Sequence, residues 1–373
     1  MMRIGYDAKR IFHNTTGLGN YSRDLVRILS TYYPDNQYFL YNPKTPKVKR
    51  LQLTGNMTVK MPGSYFTKLL PALWRSKFIT KDIAKDKIDI FHGLSGELPV
   101  GIAKTPAKSI VTIHDLIFMR FPELYKPIDR KIYTKKFKKA AQDADKVVAI
   151  SKQTKQDIID LLKIPEEKIQ VIYQGCHQAF KQEYQQTAKQ ALRQKYHLPE
   201  QFLLNVGTIE ERKNALTIVK AIQNTGLKLV LVGRKTAYAQ QILEFIAQNK
   251  MQDQVFFLEG LTLEELALLY QMASIFLYPS IFEGFGIPII EALFSKTPVI
   301  TNKSGVFPEA AGPHAYYLND VKNPDEMKNL IFKVLKDNNL SQNIKNSYAY
   351  AQANFSDAVI AAQYHDLYQK LLA

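Results

Sequence analysis

Two glutamates eight residues apart, Glu283 and Glu291, bracket the stretch Gly284-Phe285-Gly286-Ile287-Pro288. The apolar run Ser274–Tyr278 ahead of them has the character of a strand, and Pro288, with its fixed φ and missing N–H, suits the first turn of a helix. A strand thus delivers a carboxylate and a glycine-rich bend to a helix N-terminus. There the backbone amides near Gly284, Phe285 and Gly286 make an anion site, because the first N–H groups of a helix lack partners and the helix dipole is positive. Glu283 before the turn and Glu291 inside the helix can accept hydrogen bonds from hydroxyls at two separate points of one long ligand. That combination suits a sugar joined to a nucleoside through phosphates. Taken alone, Glu283 is equally well a helix cap and Glu291 a solvated side chain.

A second stretch repeats the geometry with the opposite charge. Val206-Gly207-Thr208-Ile209-Glu210-Glu211-Arg212-Lys213-Asn214 runs from strand through glycine turn to helix start and carries two adjacent cations. Val232-Gly233-Arg234 and Leu258-Glu259-Gly260 also close apolar runs, and Ser304–Glu309 is a further loop of this kind. In the first half, Met2–Asp7 leads into His13–Tyr21 with Gly17 and Gly19, then a helix from about Tyr21 to Leu29. Gly17-x-Gly19 falls short of a dinucleotide fingerprint, since Ser22 stands where a third glycine is needed. His92-Gly93, His114-Asp115 and Ser151 each directly follow a predicted strand, where sites of parallel sheets lie. A lone histidine is more often a satisfied structural residue than a functional one.

The elements that must hold these residues alternate along the whole chain. Strands are expected at Met2–Asp7, Gln37–Tyr41, Met57–Met61, Ile88–His92, Ser109–His114, Lys146–Ile150 and Gln170–Tyr173. After a loose polar stretch, Gln174–Thr187, they resume at Phe202–Val206, Leu227–Val232, Val255–Leu258, Ile275–Tyr278 and Pro298–Thr301. Helical segments lie between, and three more close the chain at Pro324–Lys336, Ser341–Gln352 and Asp357–Leu371. Such alternation predicts an α/β protein with two parallel, helix-covered sheets.

Composition narrows the class. A chain of 373 residues, 46% hydrophobic and 23% charged, fits two globular domains with large cores. The single cysteine, Cys176, excludes an intrachain disulfide and a cysteine metal cage. Met1–Asp7 lacks the apolar segment of a signal peptide and no apolar run is long enough to span a bilayer, so a cytoplasmic or membrane-peripheral location is expected. Residues 1–180 hold 31 Lys/Arg and 16 Asp/Glu, a net of +15 out of +16 for the chain. A basic half attracts nucleic acid, an anionic membrane or a phosphorylated substrate, and charge alone does not choose among them. Ser64–Lys77 mixes aromatic and aliphatic residues with cations, and Lys131–Lys139 carries five lysines; both fit a membrane-facing helix or a core-facing helix with basic edges. Asp143-Ala144-Asp145 spells a metal-binding pattern, but its place before a strand, away from the expected site, makes it helix-terminal surface with no metal function.

The stretch Glu283-Gly284-Phe285-Gly286-x-Pro288-x-x-Glu291-Ala292 resembles the E-x7-E signature of the family 4 retaining glycosyltransferases. Gly207-Thr208-x-Glu210-x-Arg212-Lys213-Asn214, the segments at His92 and His114 and the Gly17-x-Gly19-x-Tyr21 loop are similar to that family's motifs in the same order. The resemblance implies a GT-B architecture of two Rossmann-like domains facing a ligand cleft. Residues 1–180 would be the acceptor domain, 188–355 the donor domain, and the helix at 356–373 would pack back on the first. It also implies catalytic roles for His114, Arg212, Lys213 and Glu283. Gly17, Gly19, Gly207, Gly233, Leu258, Gly284, Phe285, Gly286, Ile287 and Glu291 would bind the donor. Expected partners are a nucleotide-diphosphate sugar, with GDP-mannose the best guess, and a saccharide or lipid-linked acceptor whose binding residues are unassigned. No cofactor, metal or nucleic acid is expected. UDP-sugar transfer is the nearest alternative; a sugar-nucleotide epimerase and a basic nucleic-acid-binding protein are more distant ones.

Overall fold

The computed structural model describes all 373 residues, which form two compact units: Met1–Gly175 with Ser356–Ala373, and Cys176–Phe355. The first holds a seven-stranded parallel sheet ordered β3-β2-β1-β4-β5-β6-β7. Its strands are β1 (Arg3–Asp7), β2 (Gln37–Tyr41), β3 (Met57–Lys60), β4 (Ile90–Gly93), β5 (Lys108–Ile113), β6 (Lys146–Ala149) and β7 (Ile169–Val171). The second holds six parallel strands ordered β10-β9-β8-β11-β12-β13. These are β8 (Leu203–Val206), β9 (Leu229–Val232), β10 (Val255–Leu258), β11 (Ile275–Tyr278), β12 (Val299–Asn302) and β13 (Tyr316–Leu318).

The two parallel sheets expected from the alternation are present, with ends displaced by a residue or two and β13 in addition. That last strand has three residues and pairs only with β12, too little for a pattern to register. Every residue of β8, β9 and β11 is buried because helices cover both faces; β9 and β11 are continuous apolar runs, and β8 is broken only by Asn205, whose side chain donates to the Leu277 carbonyl at 2.7 Å. Strand order reverses between β1 and β4 in the first sheet and between β8 and β11 in the second, and the carboxyl ends at such switch points are where doubly wound sheets bind ligands.

In the first unit, helix α1 runs Gly17–Tyr32, four residues longer at its start than expected. The glycine loop is the helix's own first turn. Asn14 makes it so: its side-chain carbonyl accepts from the Thr16 and Gly19 amides at 2.8 and 3.1 Å, and a Cβ on Gly19 would stand 2.1 Å from the Asn14 carbonyl oxygen. The remaining helices named below are α2 (Tyr65–Leu69), α3 (Pro127–Asp143), α4 (Ala215–Ala221), α5 (Leu263–Met272), α6 (Ile287–Phe294), α7 (Leu340–Phe355) and α8 (Asp357–Leu372). Helix α8 packs on α1 within the first unit. A buried hydrogen-bonded chain fixes it there. Tyr364 meets Tyr21 at 2.6 Å, and His92 bonds Tyr368 through Nδ1 and Thr112 through Nε2, both at 2.8 Å. His92 is therefore a satisfied core residue, and burial, with His114 nearby, lowers its pKa to about 3.

Candidate active site

The loop after β8 and the loop after β11 leave adjacent strands at the switch point of the second sheet and are tied together by main chain: the Ile281 amide donates to the Arg212 carbonyl at 2.9 Å. The first loop closes through Asn214, which sits in the left-handed region at φ 57° and caps α4. The Asn214 side chain donates to the Val321 carbonyl at 2.6 Å and accepts from Thr217. This turn sends two adjacent cations to one carboxylate. Lys213 Nζ lies 2.5 Å and Arg212 Nη1 2.8 Å from Glu283 Oε1. Arg212 also donates to the Phe282 carbonyl at 2.5 Å and to Glu210 at 2.7 Å, and Lys213 donates to the Tyr278 hydroxyl at 2.8 Å.

The side chains of Arg212, Lys213 and Glu283 are only 18, 13 and 11% exposed, so solvent screens the cluster weakly. Burial works to raise the Glu283 carboxyl, but Lys213 and Arg212 outweigh it and hold the group below its usual range. Burial likewise opposes the charge on Lys213, and Glu283 more than offsets it, raising that ammonium. Both partners stay ionised, and with Glu210 on Arg212 the cluster sets two cations against two carboxylates, of which only Glu283 touches both cations.

Glycines set the floor beside it. Gly207 and Gly233 both have φ 147°, at the ends of β8 and β9, and a Cβ on Gly233 would come 1.9 Å from the Gly207 carbonyl oxygen. The Gly233 amide donates to the carbonyl of Leu258, which ends β10. Gly286, at φ 107°, is the N-cap of α6, followed by the half-buried Ile287 and Pro288 in the first turn. Gly284 and Phe285 are buried, and the Phe285 ring meets Phe355 edge-on at 5.6 Å. On α6, Glu291 accepts from the Tyr270 hydroxyl of α5 at 3.0 Å; burial pushes its carboxyl up to about 7.

In the first unit, His114 follows β5. Its Nε2 donates to the Leu94 carbonyl at 2.9 Å, leaving Nδ1 toward the Gln174 amide at 3.4 Å. The Tyr21 ring stands edge-on to it at 4.6 Å. Burial lowers its pKa to about 4, so the imidazole is neutral at physiological pH. Gly17 and Gly19 lie in the first turn of α1, two to four residues before Tyr21. The Asp143/Asp145 pair diverges: Asp143 pairs with Lys139 at 2.6 Å, while Asp145 accepts from the Ser109 amide at 2.7 Å.

Sequence reasoning did not single out Tyr278, Glu210, Tyr270 or Gln174. Tyr278 was the findable one, since it is the last residue of β11, at the strand end where the Glu283 loop begins.

Residues 188–350 match the family described as glycosyl transferases group 1, and residues 16–179 match glycosyltransferase family 4. The chain belongs to the family 4 glycosyltransferases. Within this glycosyltransferase, the first match holds Arg212, Lys213, Glu283 and Glu291, and the second holds His114 and the Gly17–Gly19 turn. The O-antigen chain mannosyltransferase RfbU of Salmonella typhimurium is 30% identical over 58% of this chain and 57% of its own length. The chain thus spans little more than half of that relative. The O-antigen chain mannosyltransferase B of Escherichia coli is 26% identical over 83% of this chain and 85% of its own. Sucrose-phosphate synthase from Thermosynechococcus elongatus shares the GT-B fold with a TM-score of 0.78 at 22% identity, over 100% of this chain and 99% of that one. No helix is long and apolar enough to cross a membrane.

Proposed function

We propose that this glycosyltransferase is a retaining, metal-independent mannosyltransferase of polysaccharide assembly, moving mannose from GDP-mannose to a saccharide or lipid-linked saccharide. The observation that carries the reading is the convergence of Arg212 and Lys213 on Glu283 at the β8/β11 switch point. The names of the O-antigen relatives support mannose as the sugar. Residues 188–355 are taken as the donor domain, and 1–180 with the helix at 356–373 as the acceptor domain.

Arg212 and Lys213 grip the diphosphate, neutralising charge that builds on it as the bond from the anomeric carbon breaks. Glu291 accepts from the ribose hydroxyls, and Glu283 with the amides that follow it holds the sugar. The acceptor oxygen attacks from the face the diphosphate leaves, and a phosphate oxygen takes its proton, so configuration is retained without an enzymic nucleophile. His114, neutral and fixed by Leu94, positions the hexose. Before the donor arrives, Glu283 keeps the two cations ionised and aimed, so the site is organised in advance.

A thermal-shift panel of GDP- and UDP-sugars tests the reading, because a ligand of the native state raises stability by mass action. GDP-mannose should give the largest shift, unaffected by chelator. A larger shift with a UDP-sugar would replace the donor, and no shift with any nucleotide sugar would overturn the assignment. Nuclear magnetic resonance of the product anomer checks retention.

A further inference from the structure

Six buried side chains of the first unit form one hydrogen-bonded chain, and one of them lies against His114. The Tyr6 and Tyr368 hydroxyls are 3.3 Å apart, Tyr368 meets His92 Nδ1 at 2.8 Å, and His92 Nε2 meets Thr112 Oγ1 at 2.8 Å. Thr112 Oγ1 then lies 3.2 Å from the Tyr21 hydroxyl, which shares a 2.6 Å bond with Tyr364. Tyr6, His92, Thr112, Tyr364 and Tyr368 are fully buried and Tyr21 is 7% exposed, so water cannot stand in for a lost partner. His92 is neutral, with one N–H and one lone pair. It donates on one side and accepts on the other, and so couples the two halves of the chain.

Tyr21 is the member that reaches His114, its ring edge-on at a centroid distance of 4.6 Å. Strand β5 brings this about. Ile110 packs in the core cluster of Tyr21 and Tyr364, while Val111 and Ile113 pack in the opposite one, so the alternation puts Thr112 and His114 on the side of Tyr21. A tyrosine whose hydroxyl is bonded to Thr112 therefore lays its ring along the imidazole. The other jaw comes from the carboxyl-terminal helix. Helices α2 and α3 lie lightly on the unit, burying none and two of their residues, whereas α8 buries Ile360, Ala361, Tyr364, Leu367 and Tyr368. Tyr364 and Tyr368, four residues apart, stand on one face of α8; one holds Tyr21 and the other His92.

The imidazole of His114 has one firm tether of its own. Nε2 donates to the Leu94 carbonyl at 2.9 Å, but Nδ1 faces the Gln174 amide at 3.4 Å, a contact long enough for a sugar hydroxyl to replace. A single hydrogen bond leaves the ring able to tilt about χ2, and an aromatic ring packed against it removes that freedom.

We propose that Tyr21 is a positioning residue for the transfer reaction: clamped between Tyr364 of α8 and Thr112 of β5, it holds the His114 ring with Nε2 on the Leu94 carbonyl and Nδ1 offered to a hydroxyl of the hexose. This deepens the proposed function and rests on it for the role of His114; the clamp itself does not. Tyr364, 343 residues from Tyr21 in sequence, makes α8 part of what orients that histidine.

Tyr21→Phe keeps the ring and deletes the hydroxyl. Turnover of GDP-mannose should fall about tenfold with KM little changed, because the ring still fills its place but is no longer fixed. With isotope-labelled histidine, nuclear magnetic resonance should show the His114 nitrogens passing from a single Nε2–H tautomer to an exchanging average. Thr112→Val should act likewise, and Thr112→Ser, which restores the hydroxyl, should recover both readouts. Tyr38→Phe is the control: that hydroxyl donates to the Leu29 and Tyr33 carbonyls in the same core, outside the chain. Its loss should lower stability while leaving turnover and the His114 signals unchanged. Equal turnover in Tyr21→Phe and Tyr38→Phe, or His114 signals that do not change in Tyr21→Phe, would overturn the proposal. Full turnover in His114→Ala would overturn the role given to His114 in the transfer, while changed His114 signals in Tyr21→Phe would still establish the clamp.

Discussion

Glu283 and Glu291 are the same side chain eight positions apart, both withdrawn from solvent, and their surroundings drive them in opposite directions. Glu283 meets Lys213 at 2.5 Å and Arg212 at 2.8 Å and is held below the usual carboxylate range. Glu291 has the Tyr270 hydroxyl at 3.0 Å and no ion pair, and burial lifts it to about 7. Burial alone therefore does not set the charge of this site; the cation pair on the facing loop does. One acid is a fixed anion that organises two cations, the groups proposed to grip the diphosphate. The other stays on the edge of ionisation until a ligand supplies hydrogen-bond donors.

Breaking the charged side of this contrast should have the largest effect. Lys213→Ala should lower turnover of GDP-mannose on the order of a hundredfold or more. It should also cost on the order of 3 kcal/mol of stability, because a withdrawn Glu283 is left with Arg212 alone. Steady-state rates and urea midpoints check both, and unchanged turnover would remove Lys213 from the machinery. Glu283→Gln should separate binding from turnover. With Lys213 freed of its carboxylate and Arg212 left with Glu210 alone, GDP should stabilise the variant more than the wild type while turnover falls.

The acid on α6 predicts a pH dependence of opposite sign. From pH 4.5 to about 7 the unfolded chain has released the Glu291 proton while the folded chain still holds it, so stability falls as pH rises through that window. The full loss is roughly 3 kcal/mol. Glu283 runs the other way: its contribution is present above about pH 4.5 and is lost as pH falls through its lowered value. His92 and His114, whose folded values lie near 3 and 4, also lose stability on acidification below 6.5, so the informative quantity is a difference between variants. Wild type minus Glu291→Gln should slope downward between those limits. A flat difference would mean that Glu291 ionises normally.

The sheets were legible in the sequence because buried parallel strands are uninterrupted apolar runs, and Leu229–Val232 or Ile275–Tyr278 has no other reading. The site motifs were legible because glycine, proline and paired charges at fixed spacing are rare. The start of α1 was misplaced, since Gly17 and Gly19 signal a loop in any local reading. Only Asn14, folding back on the Gly19 amide, makes them helical. The partners of the charged groups were not legible, because Tyr278, Tyr270 and Gln174 are brought in by the sheet and not by proximity in the chain.

Tyr278 gives the smallest and sharpest test of how Lys213 is held. Its hydroxyl accepts from Nζ at 2.8 Å, and its ring centroid lies 4.9 Å from the same ammonium, so one residue contacts the cation in two ways. Tyr278→Phe removes only the hydrogen bond, while Glu283 still holds the charge. The expected loss is about 1 kcal/mol, a fall of roughly fivefold in turnover with little change in KM. Tyr278→Leu removes the ring face as well and should cost more. If Phe and Leu cost the same, the hydroxyl is the whole of the contact and the ring serves only the core. If Phe costs nothing, the carboxylate of Glu283 alone positions Lys213, and the contrast between the two glutamates fully describes the site.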